Sequence, residues 1–301
     1  MNTPRRATLA TLSLLAMTAV WGSTFVLIKD VVARMPVADF LAVRFGVAAL
    51  AMLALFPHRV WRLGRVGIAR GLLLGVVYGV AQWLQTTGLA LISPSVSGFV
   101  TGMYVVFTPI LATLLLRQRL RPAVWLAVLL ATAGLALLSL HGLSVGLGVW
   151  LTLASAALYA LHIVTLGHWT RAEDALGLSA VQMVAIALVG AAATLPHGGP
   201  ALPPDPHAWL AILYMALVAG AGAMLVQTWA QAHLLATRAA IVMTTEPVFA
   251  AAFAVAFGSD TLSWRMLLGG ALVLGAMYLV ELAPRRPAAD GLPAEAAHHE
   301  V

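Results

Sequence analysis

Glu246 is the one carboxylate set deep inside an apolar stretch, TRAAIVMTTEPVFAAAFA. It lies about nine residues into that stretch, or about 13 Å along a helix rising 1.5 Å per residue. An ionised carboxylate at mid-membrane costs roughly 2.5–3.5 kcal/mol on insertion scales, so it needs a hydrated cavity, a partner or a proton. Pro247 follows at once. Proline removes a helix hydrogen bond and biases the residue before it away from α geometry. A break there would offer backbone groups to a solute. Two readings stand side by side: Glu246 lines a solute cavity, or it bonds structurally to a neighbouring helix. As an intramembrane acid it is also a candidate carrier of a coupling proton.

Arg44 is the only arginine well inside an apolar segment. It is placed either to snorkel to the nearer interface or to hold an anionic group through a bidentate contact. Gln82, Gln85 and Thr86 fall within about one helical turn, and Gln227, Thr228 and Gln231 repeat the pattern. With Trp21, Ser23, Thr24, Thr101, Thr244 and Thr245 they could line one hydrated cavity, since polar side chains are costly in lipid without partners. The alternative for each is an interhelical hydrogen bond with no solute contact. Trp21 and Tyr104 could stack on a flat or cationic solute. His162 and His233 are lone intramembrane histidines, read as hydrogen-bonded packing residues or as proton relays. No H-x3-H pair or His/Asp cluster occurs, so neither a metal site nor a cofactor is expected.

These residues are held by a chain that is 61% hydrophobic and 9% charged, with a mean hydropathy of +0.95. Soluble domains carry about 25% charged residues, so the expected solvent is a lipid bilayer. Cysteine is absent, which excludes disulfide and thiolate chemistry. The net charge of +6 does not indicate nucleic acid, because the basic residues are spread over short loops. Arg5 and Arg6 before an apolar run resemble a signal peptide. The run from Thr8 to Ile28 is nevertheless as long as the roughly 20 residues a span needs, and no A-x-A-like site ends it, so a retained first helix is expected.

Ten apolar segments follow: 8–28, 38–56, 67–91, 95–115, 122–140, 146–167, 177–196, 208–233, 238–257 and 263–282. Turn-forming or charged residues separate them, and the loop HGGPALPPDPH from His197 to His207 should be extended. The segments repeat. Trp21 aligns with Tyr159, Thr24 with His162 and Arg44 with Gln182, each 138 residues on. Gln85, Tyr104 and Leu120 align with Gln227, Glu246 and Leu262, each 142 residues on. Two copies of five spans must enter the membrane from opposite sides, the signature of an alternating-access carrier. The expected fold is an all-α integral membrane protein of ten transmembrane helices arranged as two inverted five-helix repeats. These are residues 1–141 and 142–283, followed by a polar tail, 284–301.

With the N-terminus cytoplasmic, the inner loops hold Arg5, Arg6, Arg59, Arg62, Arg65, Arg70, Arg117, Arg119, Arg121, Arg171, Arg238, Arg285 and Arg286, 13 of the 17 basic residues. Lys29, Arg34 and Arg265 fall outside, a strong positive-inside bias that places both termini in the cytoplasm. Gly71, Gly75 and Gly79, and again Gly98 and Gly102, make stripes on which a neighbouring helix can lie closely. Trp61, Trp125, Trp150, Trp209 and Trp264 lie near segment ends as interfacial anchors.

Across residues 8–282 the chain resembles an EamA-type transporter of the drug/metabolite transporter superfamily. The marks are AVWGSTFVLIK in the first segment, PVADFLAVRF leading into the second, TGMYVVFTPILATLLL in the fourth and TRAAIVMTTEPVFAAAFA in the ninth. The resemblance implies a ten-helix carrier of small organic solutes, such as amino acids, related metabolites, purines or drugs, often moved outward. It also implies a bacterial cytoplasmic membrane. Many members carry a Gly-Glu pair before the last helix where this chain has Gly258-Ser259-Asp260. The candidate solute-binding residues are then Glu246, Tyr104, Trp21, Thr24, Gln82, Gln85, Thr101, His162, Gln227, Thr245 and Arg44. A nucleotide-sugar exchanger would need a more basic cavity. A membrane-embedded lipid-modifying enzyme would need clustered catalytic groups where this chain scatters its ionisable residues.

Overall fold

A computed structural model describes residues 3–116, 122–141, 144–169, 175–223, 225–226, 230, 242–243 and 245–282. Among the described residues every regular element is helical except a two-residue hairpin, in which Leu140–His141 pairs antiparallel with Ser144–Val145. The helices are α1 Thr3–Val32, α2 Val37–Leu55, α3 Pro57–Arg62, α4 Gly64–Leu91, α5 Pro94–Gly102, α6 Tyr104–Leu116, α7 Pro122–Ser139, α8 Leu147–Trp169, α9 Ala175–Thr194, α10 Pro206–Leu213, α11 Glu246–Ala256 and α12 Trp264–Leu282. Six stretches are long and apolar enough to cross a membrane: Thr8–Val32, Val37–Leu55, Gly64–Leu91, Pro94–Leu115, Leu147–Leu166 and Leu176–Thr194. Four shorter apolar helices, Trp125–Leu138, Pro206–Gly222, Glu246–Ala256 and Trp264–Leu279, occupy the remaining apolar segments.

Proline and polar caps set many of the boundaries. Pro57, Pro94, Pro122 and Pro206 open α3, α5, α7 and α10, where a missing N–H costs nothing. The Ser93 and Asp205 side chains accept from Val96 N–H and Ala208 N–H in the first turns of α5 and α10. The hydrogen bond from Ala208, reinforced by Arg34, holds the Asp205 carboxyl below the usual carboxylate range. Three details differ from the sequence reading. The break after Pro57 contains a short helix, α3, whose Trp61 is 84% exposed. The loop from His197 is only partly extended: Gly198 and Gly199 turn it with φ of 93° and 106°. The eighth segment leaves α geometry after Leu213 and runs as a π-helix from Tyr214 to Gly222.

The packing follows the repeat. α2 lies along α9, α7 along α12, and α5 along α11. α4 packs on α8 and α9, while the π-segment packs on α1 and α2. α1 packs on α11, and α8 on α5 and α6. Exchanging the two halves maps α4·α8 onto the π-segment with α1, α4·α9 onto the π-segment with α2, and α6·α8 onto α1·α11, and it maps α2·α9 and α7·α12 onto themselves. Glycine lets the backbones approach. A Cβ on Gly75 would meet Ala185 Cβ at 2.5 Å and Gln182 O at 2.7 Å, and one on Gly71 would meet Val181 at 2.8 Å, so the α4 stripe is the seat of α9. Gly22 of α1 approaches Phe249 and Ala250, and Gly98 and Gly102 of α5 approach Ala250 and Pro247. α11 is thus cradled from two sides at the level of Glu246.

Charged groups seal helix ends at one end of the bundle. Lys29 Nζ donates to the carbonyls of Leu89, Ala90 and Ile92 at 2.9, 2.9 and 2.8 Å, capping α4. Asp260 accepts from Ser95 N–H at 3.0 Å in the first turn of α5. Arg265 donates to Leu137 O at 2.9 Å near the end of α7, and Arg34 bridges Asp30 and Asp205 at 2.5 and 2.6 Å. Unpaired helix-end groups and the helix dipole favour these placements. At the opposite end Arg59, Arg62, Arg65 and Arg70 are exposed, with Gly177 against the Arg59 backbone and Arg70 5.8 Å from the Trp169 ring.

The α4–α9 crossing gives a matched test. Gly75→Ala should destabilise the protein by about 1–3 kcal/mol, the usual cost of overpacking. Gly46→Ala and Gly275→Ala meet nothing within 4 Å and should be neutral or mildly stabilising through helix propensity. Thermal midpoints in detergent would check the contrast.

Candidate functional site

Two helices break at matching places. In the first half α5 ends at Gly102 and α6 starts at Tyr104; in the second, α11 starts at Glu246 after Thr245. Met103 N–H donates to Val100 O, and Met103 O accepts from Val106 and Phe107. Thr245 N–H donates to Val242 O, and Thr245 O accepts from Val248 and Phe249. The two patterns coincide at an offset of 142 residues. Tyr104 and Glu246 each begin the helix after the break, half-buried. Thr245 Oγ1 bonds Val242 O at 2.6 Å and meets Thr18 Oγ1 of α1 at 3.1 Å.

The first of two polar groups spans α4, α5, α8 and α9. Gln85 Nε2 donates to Thr101 Oγ1 at 3.0 Å, and Tyr159 Oη donates to Gln85 Oε1 at 2.8 Å. Gln82 Nε2 donates to Tyr78 Oη at 3.4 Å. The Tyr78 ring stands edge-on to both Tyr159 and His162, centroids 5.1 Å away in each case. His162 Nε2 pairs with Gln182 Oε1 at 2.6 Å, and Gln182 Nε2 donates back to Leu178 O at 3.3 Å. The second group joins α1 to the π-segment. Trp21 Nε1 donates to Ala219 O at 2.8 Å, Ser23 Oγ meets Tyr214 Oη at 3.0 Å, and Thr24 Oγ1 donates to Trp21 O at 2.7 Å.

Arg44 and Glu246 bring opposite charges to the tyrosine pair. Each lies within electrostatic range of both Tyr78 and Tyr159. Arg44 is 6% exposed, with Phe40 and Phe45 rings 5.7 and 5.0 Å from its guanidinium carbon. Its side chain is enclosed by protein, within electrostatic range of the two tyrosines. Among the described residues the Arg44 Nε and Nη1 have no hydrogen-bond partner, and neither has Gln82 Oε1. The hydroxyls of Thr86, Thr87, Ser95 and Ser97, on α4 and α5, are enclosed without a partner as well. Among the described residues the ion pairs all involve Asp30 or Asp205 at the far end of the bundle.

Of the sequence-selected residues, Arg44, Gln82, Gln85, Thr101, His162 and Glu246 converge around Tyr78 and Tyr159. Trp21, Thr24 and Thr245 gather on the α1–α11 side, and Tyr104 sits at the paired break. Gln227 lies outside the described residues, as do Thr228, Gln231, His233 and Thr244. Sequence reasoning passed over Tyr78, although residues 78, 82 and 85 recur at helical spacing on one face of α4. It also passed over Tyr214 and the π-segment, a geometry frequent at functional sites. No group of three or more potential metal ligands occurs among the described residues.

The sequence profile of the EamA-like transporter family matches this chain twice, over residues 8–140 and 146–282. An uncharacterised transporter of Archaeoglobus fulgidus is 28% identical over 273 residues, covering 91% of this chain and 86% of its own. A solved crystal structure shares the fold with a TM-score of 0.65 at 20% identity, covering 91% of this chain and 97% of the other.

The Gln85 node can be tested directly. Tyr159→Phe leaves Gln85 Oε1 without its donor and should cost about 0.6–1.7 kcal/mol, the range for intramembrane hydrogen bonds. Gln85→Leu strands both hydroxyls and should cost more. Combining the two should be less than additive when thermal midpoints are compared in a double-mutant cycle.

Proposed function

The chain belongs to the EamA-like transporter family, and on that premise we propose that it is a carrier of small organic solutes working by alternating access. In this reading ten helices cross the membrane as two inverted repeats, both termini face the cytoplasm, and flux runs outward across a bacterial cytoplasmic membrane. The solute class is amino acids, related metabolites or drugs. The observation that carries the proposal is the pair of helix breaks at Met103 and Thr245 with the same backbone hydrogen-bond pattern. Interrupted helices at the interface of two repeats are where secondary transporters place their solute. Arg44 and Glu246, neither in an ion pair among the described residues, supply charge within electrostatic range of Tyr78 and Tyr159. The exchange-symmetric packing supports an inverted pair. The arginines exposed at one end support the orientation, since that end holds the basic inner loops. Scattered intramembrane ionisable groups and a transporter-named relative favour a carrier over an enzyme.

Glu246 is the proposed point of proton coupling. In proteoliposomes loaded with a panel of amino acids, purines and cationic drugs, the wild type should show counterflow of at least one solute and faster uptake under a pH gradient. Glu246→Gln should keep counterflow while losing most of the gradient-driven increment. Full gradient-driven transport by that variant would remove proton coupling through Glu246, and a folded wild type that moves none of the panel would count against the carrier reading.

A further inference from the structure

Building on the carrier reading, we propose that Arg44 is an anion-recognition residue and that the solute carries a single carboxylate, held by Arg44 on the side its repeat alignment assigns to Thr24. Arg44 is enclosed by protein, yet two of its nitrogens lack an acceptor among the described residues. No carboxylate lies against it among the described residues; the groups that act on it electrostatically are the hydroxyls of Tyr78 and Tyr159. A buried guanidinium with no counter-charge is strongly destabilising. Its retention makes sense where the counter-charge arrives with a ligand.

The repeat shows where that charge belongs. In the second half Gln182 is satisfied at both ends, by His162 from α8 and by the Leu178 carbonyl. In the first half Arg44 stands at the Gln182 position and Thr24 at the His162 position, both at the 138-residue offset. Thr24 is too short to reproduce the imidazole contact and bonds Trp21 O on its own helix. The contact that the His162 ring makes to Gln182 thus has no counterpart from Thr24 to Arg44 among the described residues. A planar guanidinium matches a planar carboxylate in geometry. One cation between two phenylalanine rings balances one negative charge, whereas a phosphate dianion would bring an uncompensated second one. Gln82 Oε1, unpartnered next to Tyr78, is an acceptor for a donor elsewhere on the same solute.

The test uses the purified full chain and matched probes: acetate, benzoate and 3-phenylpropionate against acetamide, benzamide and 3-phenylpropionamide. At least one carboxylate should raise the thermal midpoint of the wild type in a saturable way, and its amide should not. Arg44→Gln should weaken carboxylate binding by at least about tenfold, the scale of a lost charge-assisted hydrogen bond. Thr24→His combined with Arg44→Gln rebuilds in the first half the pair that His162 and Gln182 make in the second. That variant should fold with a midpoint near the wild type and show no carboxylate response. Equal responses to carboxylates and amides, no response to any carboxylate, or a retained response in the double variant would overturn the proposal. Counterflow on the same preparations separates it from the carrier reading. Exchange of only neutral or cationic solutes leaves the carrier and removes the anion site; carboxylate binding through Arg44 with no solute moved does the reverse.

Discussion

A chain this apolar has little water along most of its length, so each polar group inside the bundle must be satisfied by the protein or by something the protein admits. Most are satisfied. Thr18, Ser23, Thr24, Thr152 and Thr165 bond to backbone carbonyls three or four residues back. Trp21 reaches the π-segment, and Gln85 joins Tyr159 to Thr101. Charged side chains at the Lys29 end terminate helices that would otherwise present bare carbonyls or N–H groups. Against that background, the exceptions around the tyrosine pair carry information: among the described residues Arg44 and Gln82 hold enclosed atoms with no partner, and Glu246 opens a helix without an ion pair.

The glycine positions explain how such an arrangement is held. α11 is pressed between α1 at Gly22 and α5 at Gly98 and Gly102, which fixes the Thr245 break against the matching break at Met103. Small residues permit this closeness in a setting where association rests on packing rather than on expulsion of water. The scaffold is repeated, but the side chains at its centre are not. Tyr104 faces the counterpart role of Glu246, and Gln182, bonded to a histidine, that of Arg44. In the proposed carrier, divergence at the centre of the scaffold would present different chemistry to the two sides of a solute.

Much of the fold was legible in the sequence because spans and breaks are written in composition: apolar stretches ended by Pro57, Pro94, Pro122 and Pro206 became helices with ends close to those positions. The break at Glu246 was legible from Pro247. Its partner at Met103 was not, since no proline stands there; Pro109 lies inside α6 instead. The π-segment was hidden because Tyr214 to Gly222 has ordinary helical composition, and its geometry depends on packing against α1 and α2. For the site, residue type identified Arg44, Gln82, Gln85 and His162 as unusual, but not their pairings. Whether an arginine snorkels or turns inward depends on what surrounds it in three dimensions, here Phe40, Phe45 and the two tyrosines.

In the proposed carrier the paired breaks form a centre that opens to each side of the membrane in turn. The absence of cysteine makes a direct measurement available: Thr245→Cys, a conservative change at the second break, exposed to a membrane-impermeant thiol reagent from either face of sealed vesicles. Reaction from both faces, slowed at both by a transported solute, is the result the account requires. Reaction from one face alone, or from neither, would contradict it.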